Sequence, residues 1–304
     1  MKKEYYYSEI FYSVQGEGKY TGTPTAWLRF FSCNLQCNGF GQLDPTNPVT
    51  YILPWKNIDV TKYKTIEELP VFEYGCDSSY SWAKKFKHLQ YKGTPEEIGD
   101  RIIDTMKNQW NPTGKFKHPK SRVEQHMCFT GGEPLLKEAQ RCVLSVLKYF
   151  DDIGNFPAWI TFETNGTQPL QQDFSNYLAS TYGQNVMFSV SPKLFTTSGE
   201  PALRAINPRN VAEYYKITTN GQLKFVVNGS SETWNELDIV VEQFRDAGVL
   251  YPVYVMPVGA TKEGQSGELP SYMSAGDIAE QAFKRGFNVS SRIHVDLWGN
   301  TIGV

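Results

Sequence analysis

The sequence carries no excess of charge of either sign. Its 30 Lys and Arg nearly balance 32 Asp and Glu, for a net charge of −2. This excludes a whole-molecule basic field of the kind that drives non-specific nucleic-acid binding. No apolar run approaches the ~18 residues of a membrane-spanning helix. The first ten residues, charged and then tyrosine-rich, lack the apolar stretch of a secretory signal, so the expected compartment is cytoplasmic. Cysteine is scarce and odd in number, five in 304 residues, which argues against a disulfide scaffold and for reduced thiols. Short-period repeats, low-complexity tracts and a dividing linker are all lacking. With 40% hydrophobic and 14% aromatic residues, the chain has material for a core and is neither disordered nor collagen-like.

What is present alternates. Strands are expected over Thr25–Phe31, Gln125–Phe129, Ala158–Phe162, Val186–Val190, Leu223–Val227, Pro252–Met256 and Asn288–Val295. Between most of them lie helical patterns. Thr94-Pro95-Glu96-Glu97 reads as a capping box with Pro at the first helical position, followed by Ile98, Ile102, Met106 and Trp110 at helical spacing. Leu135–Phe150, Ser231–Ala247 and Ser274–Arg285 read as helices, the last two stopped by Gly248 and Gly286. Strand–helix alternation predicts one α/β domain with a parallel sheet or barrel. Two stretches break it: Asn38–Gly75, rich in Pro, Asn, Asp and Tyr, and Asn111–Arg122, whose clustered Lys and Arg read as a solvated loop.

Two short motifs carry chemistry. Cys33 and Cys37 follow the strand Trp27–Phe31, where a strand ends in a loop, and sites in α/β barrels gather at that end. The pair could hold zinc or an iron–sulfur cluster, or be two small buried residues. Thr130-Gly131-Gly132-Glu133-Pro134 follows a strand and precedes a helix. Its glycines allow a ligand close to backbone N–H groups, although an ordinary strand-to-helix turn would read alike. Cys128 and Cys142, mid-strand and mid-helix, are expected in the core.

Taken in order, the Glu9-Ile10-Phe11 and Gln15-Gly16-Glu17-Gly18 opening, the cysteines, Cys76-Asp77-Ser78-Ser79-Tyr80-Ser81-Trp82, the Gly-Gly-Glu segment, Glu163-Thr164-Asn165-Gly166 and Ser191-Pro192-Lys193 resemble the radical S-adenosylmethionine (SAM) superfamily. More narrowly they resemble its 7-carboxy-7-deazaguanine synthase branch. The resemblance runs from about Tyr7 to the C-terminus. It departs from the usual CxxxCxxC spacing, because Phe40 stands at the third position after Cys37. Cys76 begins the segment that normally follows the third cysteine. The resemblance therefore implies a single domain over residues 1–304 with an insertion at about 38–75 between the second and third cluster ligands. Loop closure costs grow slowly with length, so three thiolates can still converge.

The resemblance further implies a partial, modified TIM-like barrel and a radical SAM lyase. This enzyme would convert 6-carboxy-5,6,7,8-tetrahydropterin to 7-carboxy-7-deazaguanine by way of a 5′-deoxyadenosyl radical. Cys33, Cys37 and Cys76 would hold a 4Fe–4S cluster. Gly131, Gly132, Glu133, Glu163, Thr164, Asn165, Ser191 and Lys193 would meet SAM. Gln15 and Glu17 would pair with the N–H edge of the pterin, Arg29 with its carboxylate, and the terminal carboxylate of Val304 with the pterin edge. Ser78 would be an oxygen ligand to Mg²⁺. An electron donor such as flavodoxin and a homodimer are implied, with no direct nucleic-acid partner and no membrane. Two rivals stay open: another radical SAM reaction, such as glycyl-radical enzyme activation, and a non-catalytic metal-binding interaction module.

Overall fold

Alternation of apolar and polar residues builds nine strands: β1 (Tyr5–Val14), β2 (Pro24–Phe30), β3 (Tyr91–Gly93), β4 (His126–Gly131), β5 (Ile160–Thr164), β6 (Val186–Val190), β7 (Gly221–Val227), β8 (Val253–Pro257) and β9 (Asn288–Val289). They come from a computed structural model that describes residues 2–266, 273–299 and 301–303. The strands join into one sheet, in the order β3-β1-β2-β4-β5-β6-β7-β8-β9. From β2 to β9 every pairing is parallel, while β1 pairs antiparallel with β2 and β3. The architecture is α/β, with an open rather than closed sheet, as expected for a partial barrel.

The α-helices of six or more residues among the described residues are α1 (Pro95–Thr105), α2 (Lys137–Asp152), α3 (Gln172–Tyr177), α4 (Pro208–Ile217), α5 (Ser231–Asp246), α6 (Ala275–Lys284) and α7 (Ile293–Trp298). At the start of α1, Thr94 and Glu97 form the expected reciprocal capping box. The helix nevertheless stops at Thr105, and Trp110 lies exposed beyond it. The strand expected over Asn288–Val295 is only two residues long, and Ile293 opens α7 instead. The Asn111–Arg122 stretch is less solvated than its charge implied. Asn111 and Phe116 are fully buried, and Asn111 Oδ1 accepts from Lys115 N at 2.8 Å. A side-chain amide that satisfies a turn's backbone lets that turn enter a core.

Strand periodicity sorts the two faces of the sheet. Phe129, Phe162 and Phe188 lie in one register line and stack at centroid distances of 5.4 and 5.5 Å. With Leu223 and Phe225 they belong to the main core, which also takes in the buried faces of the helices. The intervening positions, Glu163, Ser189, Gln222 and Lys224, are linked to one another by hydrogen bonds. Cys128 and Cys142 are fully buried, as expected.

The Asn38–Gly75 stretch leaves this framework and returns to it. Gly75 N donates to Phe40 O at 2.7 Å, so the two ends of the excursion meet. Between them Ile66, Leu69 and Phe72 pack with Tyr80, Phe86 and Leu89 into a second, smaller core. Ile302 packs against this core from the end of the chain.

Candidate active site

A cavity of about 300 Å³ opens at the C-terminal ends of the parallel strands. Arg29, one residue before the end of β2, lies on its wall, Gly131 closes β4 and Thr164 closes β5, with Ser191 just past β6. Active sites in barrel-type folds gather at this end.

One side of the cavity holds thiols. Cys33, Cys37 and Cys76 all line it and pack together with Leu35, Phe40 and Ala205. Cys76 arrives because the excursion closes at Phe40 and Gly75, and because Ser32 N donates to Ser81 O at 2.7 Å, tying the two cysteine segments. Burial pushes the Cys33 thiol up to about 12, the Cys37 thiol well above its ordinary value, and the Cys76 thiol upward too. Unligated, the three are neutral, and a bound cation must displace their protons. Among the described residues no three His, Cys, Asp or Glu side chains are grouped tightly enough for a single metal ion. Three thiols in one apolar nest suit an iron–sulfur cluster better, since each thiolate holds a different iron.

The Gly-Gly-Glu segment divides. Gly131 and Gly132 line the cavity, whereas Glu133 is fully buried behind the wall. Its carboxylate accepts from Leu135 N (2.9 Å), Thr164 Oγ1 (2.6 Å) and Asn165 N (2.8 Å). Burial raises its pKa despite these donors. The structure thus brings Glu133 to the β4–β5 junction and not to the cavity surface. A Cβ at Gly132 would stand 2.1 Å from Ser32 O, so glycine here is required by the close approach of the β2 backbone. Thr164 and Asn165 reach the cavity wall, and Asn165 Nδ2 donates to Asn34 Oδ1 at 3.0 Å, beside Cys33. Ser191 accepts from Lys193 Nζ at 2.8 Å, and that ammonium lies over the Phe40 ring.

The opposite side is ionic. Lys224 projects from β7 between Glu17 and Glu163, donating to both, the second at 2.8 Å. Arg292 Nε donates to Glu17 Oε1 at 2.9 Å and its Nη2 to Asp77 Oδ2 at 2.8 Å. Gln15 Nε2 donates to Glu163 Oε1 at 3.1 Å. Burial would raise the Glu17 carboxyl, but Lys224 and Arg292 together hold it well below the usual carboxylate range. The same contest, won by Arg292, lowers Asp77. Burial acts against the Lys224 ammonium, and Glu163 and Glu17 outweigh it, raising its pKa. Arg29 is placed by cross-strand register: it lies opposite Glu9, and the two form an ion pair at 3.0 Å that is not aligned as a hydrogen bond. Tyr80 donates to the same carboxylate.

Of the residues expected from sequence, Gln15, Glu17, Arg29, Glu163 and Ser78 also line this cavity. Ser78 Oγ stands 3.5 Å from Cys76 Sγ. Val304 lies outside the described residues, though Ile302 and Gly303 reach the wall. Sequence reasoning missed Lys224, Arg292, Asp77 and His294. Gly16 admits His294: a Cβ there would fall 1.9 Å from the ring Nδ1, and Ile293 N donates to Gly16 O at 3.0 Å. Burial lowers His294 to about 4, so it is neutral at pH 7.

No family model matches the chain. A curated protein of Halobacterium salinarum, named 7-carboxy-7-deazaguanine synthase, is 26% identical over 314 residues, covering 96% of this chain and 90% of its own length. One of the same name from Rhodopirellula baltica is 25% identical and covers 97% of this chain and 87% of itself. Over nearly its whole length the chain is thus similar to proteins named 7-carboxy-7-deazaguanine synthase. The crystal structure of QueE from Escherichia coli superposes with a TM-score of 0.50 at 17% identity, covering 94% of this chain and 93% of that one, and shows a common fold. Among the described residues no helix is long and apolar enough to cross a membrane.

Proposed function

We propose that the chain is a radical SAM synthase that converts 6-carboxy-5,6,7,8-tetrahydropterin to 7-carboxy-7-deazaguanine. The observation that carries this is the convergence of Cys33, Cys37 and Cys76 with Gln15, Glu17 and Arg29 in one cavity. When bound, a 4Fe–4S cluster held by the three thiolates would supply, with SAM, the one-electron radical chemistry of the reaction. Gly131, Gly132, Thr164, Asn165, Ser191 and Lys193 line the wall next to the thiols and would hold SAM, with Glu133 bracing the turn behind them. In this reading Arg29, braced by Glu9, receives the substrate carboxylate as a bidentate pair. The Glu17 and Glu163 carboxylates and the Gln15 amide oxygen would accept from the pterin's N–H edge. Ser78 offers one oxygen to Mg²⁺, whose remaining ligands would be water and substrate oxygens. Phe40 and Val71, both contributed by the 38–75 stretch, shield the cavity from water.

In this reading the chain is one domain, with 38–75 as an excursion whose ends are joined by the Gly75 N to Phe40 O hydrogen bond. An electron donor such as flavodoxin and a reducing, cytoplasmic setting follow from the chemistry. The test is anaerobic reconstitution followed by assay with the tetrahydropterin and SAM. Iron bound near four per chain and formation of the deazaguanine are expected of a 4Fe–4S enzyme. A chain that takes up no iron, or that cleaves SAM without forming this product, would sink the assignment.

A further inference from the structure

The loop that carries Cys33 and Cys37 is gripped from outside the cavity by a segment that no motif marks. After β6 the chain turns through Ser198-Gly199-Glu200, and Glu200 is 5% exposed. Its Oε1 accepts from Gln36 N at 2.6 Å and from Cys37 N at 2.8 Å. Three further ties run between the same two segments. Gly39 N donates to Ser198 O at 2.9 Å, Arg204 Nη2 donates to Asn34 O at 2.8 Å, and Ala205 packs with Leu35 and Cys37. The only nearby cation in an ion pair with Glu200 among the described residues is Arg204, at 3.9 Å and more than half exposed.

Two facts make this grip more than loop packing. Cys37 has φ = 51°, a left-handed conformation that a non-glycine residue keeps only when its surroundings over-determine it. Glu200 engages the N–H of that residue. A carboxylate that takes the N–H groups of positions 36 and 37 also turns them away from any sulfur on the cavity side. It adds a buried negative charge beside the ligand. Fewer N–H donors to sulfur and added negative charge both lower the reduction potential of an iron–sulfur centre.

We propose that Glu200 is a positioning residue that sets the Cys33–Cys37 loop in its ligating conformation and, through its charge, keeps the centre bound there strongly reducing. The proposal rests on the assignment of Cys33 and Cys37 as cluster ligands. Wild type, Glu200→Gln and Glu200→Ala are reconstituted anaerobically, and three quantities are read: iron per chain, the rate of iron release to a chelator, and the midpoint potential by spectroscopic titration. Glu200→Ala should release iron roughly tenfold faster or more, the consequence of losing a hydrogen bond to a charged group. Glu200→Gln keeps an acceptor oxygen. It should hold its iron content while its midpoint moves to a less negative value. Release from Glu200→Ala at the wild-type rate overturns the positioning role, and an unmoved midpoint in Glu200→Gln overturns the role of the charge. If Glu200→Ala fails to fold by circular dichroism, Glu200→Asp, whose carboxylate is one methylene shorter, takes its place in the release assay with the same two outcomes, and the midpoint of Glu200→Gln still decides the role of the charge. A wild-type chain without iron overturns the ligand assignment itself, whereas iron in wild type with unchanged variants overturns Glu200 alone.

Discussion

The two sides of the cavity are finished to different degrees. On the ionic side the buried charges pair with one another: Lys224 lies between Glu17 and Glu163, and Arg292 lies between Glu17 and Asp77. On the thiol side, burial raises the pKa values of Cys33, Cys37 and Cys76, and the Lys193 ammonium offsets this only in part at Cys33 and Cys37. The first side is preorganised and costs nothing further to arrange when a polar ligand arrives. The second is completed only by something positively charged, and its binding energy is available to fix the loops that carry the cysteines. Recognition and cofactor capture are thus built on different physics within one cavity.

The comparison breaks most completely at Cys76. Replacing Cys76 by Ala should abolish stable cluster uptake while leaving the ionic side and the fold intact. Iron analysis and circular dichroism of anaerobically reconstituted protein read the two separately, and a full cluster in the variant would refute the third ligand. The next effect is expected at Lys224. Lys224→Met leaves Glu17 and Glu163 buried with one cation fewer, and breaking a buried pair from one end costs about 3–5 kcal/mol. Denaturant unfolding measures this, and adding Glu163→Gln should restore part of the loss; independent, additive losses would show that the two do not act as a pair.

A smaller effect separates the sides by pH. His294 and Glu17 both titrate below their ordinary values in the fold. A group with a depressed folded pKa adds stability that is complete above its unfolded pKa and is lost as pH falls. The metal-free protein should therefore be most stable above about pH 6.5, the ordinary histidine value. It should weaken as pH falls toward about 4, where folded His294 titrates, and weaken further as Glu17 loses its charge. His294→Gln should flatten the upper limb, and an unchanged profile of unfolding free energy against pH would place the pH sensitivity elsewhere. The smallest effect is a control on the thiol side. Cys142→Ala removes a fully buried sulfur far from the cavity and should cost about 1 kcal/mol with iron content unchanged. Loss of iron there would undo the separation of three ligand thiols from two core thiols.

Which parts were legible in sequence follows from how local each signal is. Cys76 is identifiable across a long excursion because Asp-Ser-Ser-Tyr-Ser-Trp travels with it, and the excursion closes on itself through one backbone bond. Strand–helix alternation gave the parallel sheet, but β1 was not foreseen as a strand. Its Tyr-rich run pairs antiparallel with β2 and β3, where no helix follows directly to complete the pattern. Trp110 kept helical spacing past the end of α1, and Ile293 continued a strand pattern into a helix, because period alone does not mark where an element stops. Glu133 was expected at the cavity because it sits in a ligand-binding motif. Its carboxylate is instead consumed by Thr164 and Asn165, more than 30 residues away in sequence.

The sequence by itself determined the α/β alternation, the order of the motifs and the identity of the three thiols that could act as ligands. The alternation is encoded in local periodicity, and the three thiols, spread over 33–76, in the short motifs that carry the family resemblance. Tertiary structure alone decided the ionic side. Lys224 reads in sequence as a lone charge within Leu-Lys-Phe-Val-Val, and its partners stand 61 and 207 positions away. Arg292 meets Asp77 across 215. A buried charge is tolerable only where an opposite one is brought to within hydrogen-bonding distance. Such a meeting depends on register, closure of loops and the packing of α7 against the Gln15–Gly18 turn, none of which leaves a mark in the local sequence.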